Sequence, residues 1–88
     1  MRKRNKMSAT VLSFEGGYVL LEDLRAIRIK SKEYNIMIME DYMPVIGEVN
    51  GDVTFLGNDF RHDYNGIQGF YVHKNNKFQL LLKGKDDV

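Results

Sequence analysis

Two histidines are the side chains of this sequence that could exchange protons near neutral pH or ligate a metal ion. His62 lies in a polar stretch between Asp59 and Asp63, so either carboxylate could orient its ring or share a cation with it. The stretch lacks the alternating ligands and closing glutamate of a calcium loop. His73 belongs to no triad or ligand pattern, and its place beside a turn predicts an exposed histidine on a strand. A solvent-exposed loop is the favoured interpretation of the His62 stretch, and a reactive loop is the alternative.

Other residue types that carry chemistry are missing or badly spaced. The 88 residues include no cysteine, which excludes thiolate zinc sites, disulfides and cysteine nucleophiles. The glycines stand between strand-like segments with no helix after them, so there is no phosphate-binding loop. Glu40 and Asp41 are adjacent, and adjacent residues of a strand point to opposite faces, so they cannot flank one bond. We expect a protein that is not an enzyme and uses no cofactor or metal.

Positive charge is concentrated at the N-terminus. Four of the 13 lysines and arginines lie in residues 1–6, which leaves nine against 12 acidic residues in 7–88, a net charge of −3. We predict a disordered basic tail at 1–7, one domain at 8–84 and a frayed end at 85–88. A nucleic-acid-binding fold normally carries its basic patch on the folded surface, so we expect no nucleic-acid partner. The apolar runs reach only four residues, which predicts a cytoplasmic protein without direct membrane insertion.

The elements that must position these residues are strands. Apolar and polar residues alternate with a period of two over 25–30, and turn residues recur about every 8 to 12 positions, as in a sandwich or barrel. Residues 15–17, Asn50-Gly51 and Asn75-Asn76 are predicted hairpin turns, of which Asn50-Gly51 is the strongest signal. The polar stretch 57–66 is predicted to be a long loop or hairpin tip. Met43-Pro44 predicts a sheet corner, because proline cannot donate to a strand ladder.

Most aromatic side chains of this chain are expected in the core or in cross-strand pairs. Tyr34 and Tyr42 differ because each lies among polar turn residues, where an aromatic ring is a candidate for contact with a partner. Core packing of both rings is the competing interpretation.

Three segments in register, 27–46, 49–56 and 67–82, resemble the N-terminal β-sandwich domain of the epsilon subunit of rotary ATP synthases. In that family a strand, a short turn, an apolar strand and a Gly-His-Ala-Pro-Leu segment follow with the spacing of 27–46. The second segment is similar to the family's Lys-Pro-Gly turn and next strand, and the third to its last hairpin. The resemblance covers roughly residues 8–84. This chain carries Asp41 and Tyr42 at the family's glycine and histidine before Pro44, and Phe70 at its second glycine in the last hairpin.

The resemblance implies a small all-β sandwich or flattened barrel of about eight to ten short antiparallel strands, divergent and without the family's C-terminal helical hairpin. It implies a structural module that docks on the gamma subunit and the c-ring and couples rotation to ATP synthesis and proton transport. Such a protein is peripheral at the inner face of the membrane through its complex. The family positions that meet the ring imply a partner-binding set here: Tyr34, Asn35, Asp41, Tyr42 and Met43.

Three other functions stay open at this point. A divergent domain of this type could bind another protein partner, since the altered residues fall at the ring-facing positions. A small nucleic-acid-binding or hydrolytic barrel could use the His62 loop. Open sheet edges could also pair two copies of the chain, because unpaired strand edges associate readily.

Overall fold

The computed structural model describes residues 6–13 and 17–83, and these form six strands and no helix. The strands are β1 (Met7–Ser13), β2 (Tyr18–Ser31), β3 (Asn35–Met39), β4 (Val45–Gly57), β5 (Arg61–Lys74) and β6 (Lys77–Leu82). Over the same ranges, no helix has the length and apolar content needed to cross a membrane. The all-β prediction is confirmed.

Most of the predicted tail and the whole frayed end lie outside the described residues. The boundary at residue 7 needs a correction, because Met7 is the first residue of β1 and its side chain is fully buried. A hydrophobic side chain at the start of a strand is more stable in the core than in water. The ordered part of the chain therefore includes Met7.

The strands close into a small barrel. The sheet order is β1-β6-β5-β4-β2-β3, and β1 also pairs with β2, which joins the two ends of the sheet. Neighbouring strands are antiparallel except β1 and β6, which are parallel. The N-terminal strand thus completes the ring by lying between β2 and the last strand of the chain.

Three of the strands are long and change partner or register halfway along. β2, β4 and β5 have 14, 13 and 14 residues. The first half of β2 pairs with β1 and its second half with β3 and β4, with register shifts around Arg25. β5 places Asn65 and Gly66 opposite Asp52 of β4, a bulge that bends both strands. Counting each long strand as two segments gives nine, in line with the expected eight to ten short strands.

Several predicted turns are confirmed. The turn predicted at 15–17 lies largely outside the described residues, which show β1 and β2 as antiparallel partners with the Ser13 amide donating to the Gly17 carbonyl at 3.1 Å. Asn75 and Asn76 have φ angles of 52° and 62° and join β5 to β6. This backbone is the primed two-residue turn that matches strand twist. Met43-Pro44 lies in the connection between β3 and β4, as the corner prediction requires.

The turn predicted at Asn50-Gly51 is wrong, because both residues lie inside β4 and pair with β5. Gly51 serves a different need, since a Cβ atom at this position would overlap the backbone carbonyl of Lys30 on β2. Glycine is used here for close approach of two strands and not for a turn.

The prediction of a long loop or hairpin tip at 57–66 is wrong in its length, because β4 runs to Gly57 and β5 begins at Arg61, so the hairpin tip comprises only 58–60. His62 and Tyr64 share the face of the buried Phe55 and Val53, and Arg61 and Asp63 lie on the outer face of the paired strand. There the Thr54 hydroxyl and the Arg61 guanidinium both donate to the Asp63 carboxylate, at 2.7 and 3.0 Å. An outer strand face can be wholly polar, so low apolar content did not signal a loop.

The core fills the inside of the barrel with residues from all six strands, as alternation along each strand predicts. Phe78 lies at its centre, with Phe55 edge-on at 5.8 Å and Tyr71 stacked at 5.5 Å between ring centroids. Tyr34, Tyr42 and Val45 pack against this core from its ends.

Candidate partner-binding surface

Tyr34 and Asn35 lie at the start of β3. The Tyr34 hydroxyl donates to the Glu48 carbonyl at 2.6 Å and accepts from the Tyr71 hydroxyl at 2.8 Å. Burial, and then the hydrogen bond with Tyr34, raise the pKa of Tyr71 above its usual range, so the Tyr71 hydroxyl stays neutral. The Tyr34 ring is half-buried against the core, whereas Asn35 is exposed and pairs with Lys30 of β2.

Asp41, Tyr42 and Met43 lie beyond the other end of β3. Asp41 has a φ angle of 64°, and its amide donates to the Asn76 side-chain oxygen at 2.7 Å. The Asn76 side-chain nitrogen donates back to the Asp41 carboxylate at 3.1 Å, so this pair fastens the β3–β4 connection to the β5–β6 turn. Met43 is 65% exposed, while the Tyr42 ring is half-buried edge-on to His73.

The five predicted site residues therefore form two groups and not one surface. The length of β3 separates them, about 16 Å for five residues of strand. The Tyr34 and Tyr42 rings both pack against the core and are also partly exposed. The interpretation as core residues therefore holds for the buried part of each ring. Contact with a partner stays a prediction for all five residues.

His73 corrects the expectation of an exposed strand histidine. Its side chain is fully buried in the barrel between Tyr42 and Phe78. Neither ring nitrogen has a hydrogen-bond partner among the described residues. Desolvation by burial lowers the pKa of His73, so the ring is neutral near neutral pH. The side chain packs as a core residue.

Of the two carboxylates that the reactive-loop alternative offers to His62, Asp63 is engaged elsewhere. Asp63 is held by Thr54 and Arg61, whose hydrogen bonds lower the pKa of Asp63. The exposed His62 ring instead lies edge-on to Phe60, at 5.9 Å between centroids. Within 6–13 and 17–83 no group of three or more histidine, aspartate or glutamate side chains could hold a metal ion.

A surface that the sequence reasoning missed lies on the outside of the barrel. One row of apolar side chains there runs from Tyr18 through Leu12 and Leu81 to Phe70. The row beside it contains Leu20, Val72 and Ile46, with the polar Thr10 and Gln79 between Leu20 and Val72. Ile46 is 76% exposed. We call this surface the apolar belt; its members are Leu12, Tyr18, Leu20, Ile46, Phe70, Val72 and Leu81.

Lysines border the apolar belt on two sides. Lys74 and Lys77 are cross-strand partners in the row beyond Val72. On the opposite side the Lys83 ammonium lies over the Phe70 ring, 5.9 Å from its centroid. Glu48 ends the row that contains Phe70. The surface thus has a mainly apolar centre, three lysines beside its β5 and β6 part, and the carboxylates of Glu22 and Glu48 at its β2 and β4 ends.

One signal in the sequence could have revealed the apolar belt. Residues 80–82 of β6 and 18–21 of β2 are apolar at every position, without the alternation of a strand that has one wet face. Consecutive apolar residues in a strand place hydrophobic groups on both faces. In a barrel the second face must be either exposed or covered by another molecule.

The fold and surface together define a class: a small closed β-barrel with an apolar outer face. In the comparisons with known proteins, no family model and no curated protein matches the chain. Among solved structures it is similar to a chain in the cryo-EM structure of the central stalk and c-ring of the Tetrahymena thermophila mitochondrial ATP synthase. The TM-score is 0.73 at 16% identity, and the match covers 94% of this chain and 67% of that chain. The likeness shows the fold.

Proposed function

We propose that this chain is a non-enzymatic, protein-binding subunit of epsilon type in the central stalk of a rotary ATP synthase. The observation that carries the proposal is the structural match to a stalk and c-ring chain over 94% of the present chain. The three segments that resemble the epsilon subunit support it independently, because that resemblance rests on residue types and their order in the sequence.

The geometry favours binding over chemistry. The buried His73 and the exposed His62 lie in separate environments, and Asp63 is engaged by Thr54 and Arg61. The apolar belt, by contrast, is a hydrophobic surface of the kind that proteins use for association. In the proposed role the chain docks on the gamma subunit and the c-ring and couples rotation to ATP synthesis and proton transport. It is then held at the inner face of the membrane through that complex.

The test is recovery of the complex from the chain's own cells. The full chain, tagged and expressed at its native level, should co-purify with the gamma subunit and with c-ring subunits. Met43→Asp should reduce c-ring recovery, because Met43 is 65% exposed at a predicted ring-facing position. Met37→Asp is the matched control, since Met37 is exposed on β3 outside the predicted set. Recovery without gamma would contradict the stalk assignment.

A second candidate is a divergent domain of the same fold that binds another protein. The altered residues Asp41, Tyr42 and Phe70 favour it, since they replace a glycine, a histidine and a glycine of the family pattern. The same purification separates the two candidates. A stable partner other than gamma, recovered in stoichiometric amount, supports the second.

A further inference from the structure

The size of the apolar belt indicates a surface that another molecule covers. Its seven side chains are between 36% and 76% exposed. Summed over whole residues they expose on the order of 700 Å², at the upper end of or above the roughly 300–600 Å² of the largest patch on a typical monomer. The value is close to the about 800 Å² that each partner contributes to a stable protein interface.

The shape of the apolar belt favours a protein as the occupant. It runs about 20 Å across five strands on the outer face of the barrel, two apolar residues wide on β2 and β5 and one wide on β1 and β6, where Thr10 and Gln79 complete the second row. The side chains project from paired strands and not from a loop. They are therefore better suited to contact a complementary apolar protein surface than to insert into a bilayer.

The charges at the border of the apolar belt favour a different protein over a second copy of this chain as its occupant. Lys74, Lys77 and Lys83 flank the apolar belt, although residues 7–88 carry a net charge of −3. Packing two copies face to face would bring six border lysines together, only partly offset by the Glu22 and Glu48 carboxylates, and this excess of like charge opposes association. A partner with carboxylates around its apolar centre would instead gain favourable pairs at the rim.

We propose that the apolar belt docks a different protein whose contact surface is apolar at its centre and acidic at its edge. The lysine border steers the encounter, and the apolar rows hold the complex once it has formed. This inference deepens the proposed function, on which it rests, by naming the partner's chemistry and the face that meets it.

The experiment measures association and dissociation of the full chain with purified gamma subunit at low and high NaCl. Leu81→Asp, at the centre of the apolar belt, should weaken affinity about tenfold or more. Met37→Asp is its control, with the same change at an exposed methionine off the belt.

Lys74→Glu combined with Lys77→Glu should slow association about tenfold at low salt and flatten its salt dependence. Arg28→Glu combined with Lys30→Glu makes the same charge change on another face. Thermal melting checks that every variant folds.

The outcomes separate this inference from the proposed function. If the wild-type chain binds gamma and Leu81→Asp or the double lysine variant binds with unchanged kinetics, the inference is wrong and the stalk function stands. If the wild-type chain does not bind gamma, the stalk function fails, and crosslinking in the chain's own cells decides the inference.

The crosslinking uses benzoylphenylalanine at position 81, with position 37 as control. An adduct with a different protein, absent from position 37 and formed more slowly with Lys74→Glu and Lys77→Glu, supports the inference. It is overturned by an adduct with a second copy, an adduct with lipid alone, no adduct, or a protein adduct whose rate of formation the lysine changes leave unchanged.

Discussion

His73 shows how little a residue's type says about its place in this fold. A histidine beside a turn reads as a surface residue, yet alternation along β5 directs it into the barrel beside Tyr71 and Gly69. The sequence predicts alternation but does not say which set of β5 residues faces inward, because both sets contain apolar side chains. The pairing with Phe78 of β6 and Val45 of β4 settles it. Register is a property of the assembled sheet.

The stability of the protein should fall in mild acid because of His73. The pKa of His73 is lowered in the folded state, so below about pH 6.5 the unfolded chain binds more protons than the folded one. The contribution of the neutral His73 ring to the free energy of unfolding is fully present above that pH and declines as the pH drops through it. Melting temperatures should therefore fall from pH 7 towards pH 5, and His73→Leu should flatten the curve over this window.

His62→Ala is the internal control for this prediction, because His62 is the other histidine of the chain and is exposed. It should keep the wild-type slope. Asp63, whose pKa is lowered, loses its contribution only as the pH falls through the acidic range of a carboxyl group, so the two effects occupy different windows. A slope that survives His73→Leu would show that another group causes the acid sensitivity.

At the scale of elements, two asparagine-containing turn signals had opposite outcomes. Asn75-Asn76 forms its turn, with both residues in the left-handed region that asparagine tolerates. Asn50-Gly51 runs straight through β4, where the Ser31 hydroxyl accepts from the Asn50 amide at 3.0 Å. A dipeptide reports what the backbone can do locally. Whether the dipeptide instead pairs with a strand from elsewhere in the chain depends on contacts that the local sequence does not determine.

Gly51 and Gly66 should respond differently to alanine. Gly51→Ala places a Cβ against the backbone of Lys30, which cannot move without breaking the β2–β4 ladder, so it should cost more than about 3 kcal/mol. Gly66 has a φ angle of 63° and open space around it. Gly66→Ala should cost only about 1 kcal/mol, from the left-handed backbone.

Denaturant unfolding of both variants measures the difference, and Gly66→Asn is the control. Asparagine tolerates the left-handed region, so this variant should recover part of the loss seen with alanine. Equal destabilisation by Gly51→Ala and Gly66→Ala would contradict the role of Gly51 in the close approach of β2 and β4.

For the whole molecule, the sequence predicts the all-β class because the period of two is local, but closure of the barrel is not local. β1 pairs with β2, its neighbour in the chain, and with β6, more than sixty residues away. The parallel β1–β6 pairing leaves no signature in either strand. Among the described strands, the outer edge of β3 and one side of β5 at 61–67 have no strand partner. Self-association through sheet edges, which stays a prediction, would use one of these edges.

Closure makes a prediction about local opening that an open sheet would not share. Because β1 is bonded on both sides, its amides should exchange with solvent only when the whole barrel unfolds, with the same free energy as those at the centre of β4 and β5. Amides of Asn35–Met39 that do not bond to β2 should exchange much faster. Hydrogen exchange resolved by residue measures both sets in one experiment.

If β1 exchanges as fast as the open edge of β3, the barrel opens between β1 and β6 in solution. The apolar belt, which spans that junction through Leu12 and Leu81, would then not persist as one binding surface.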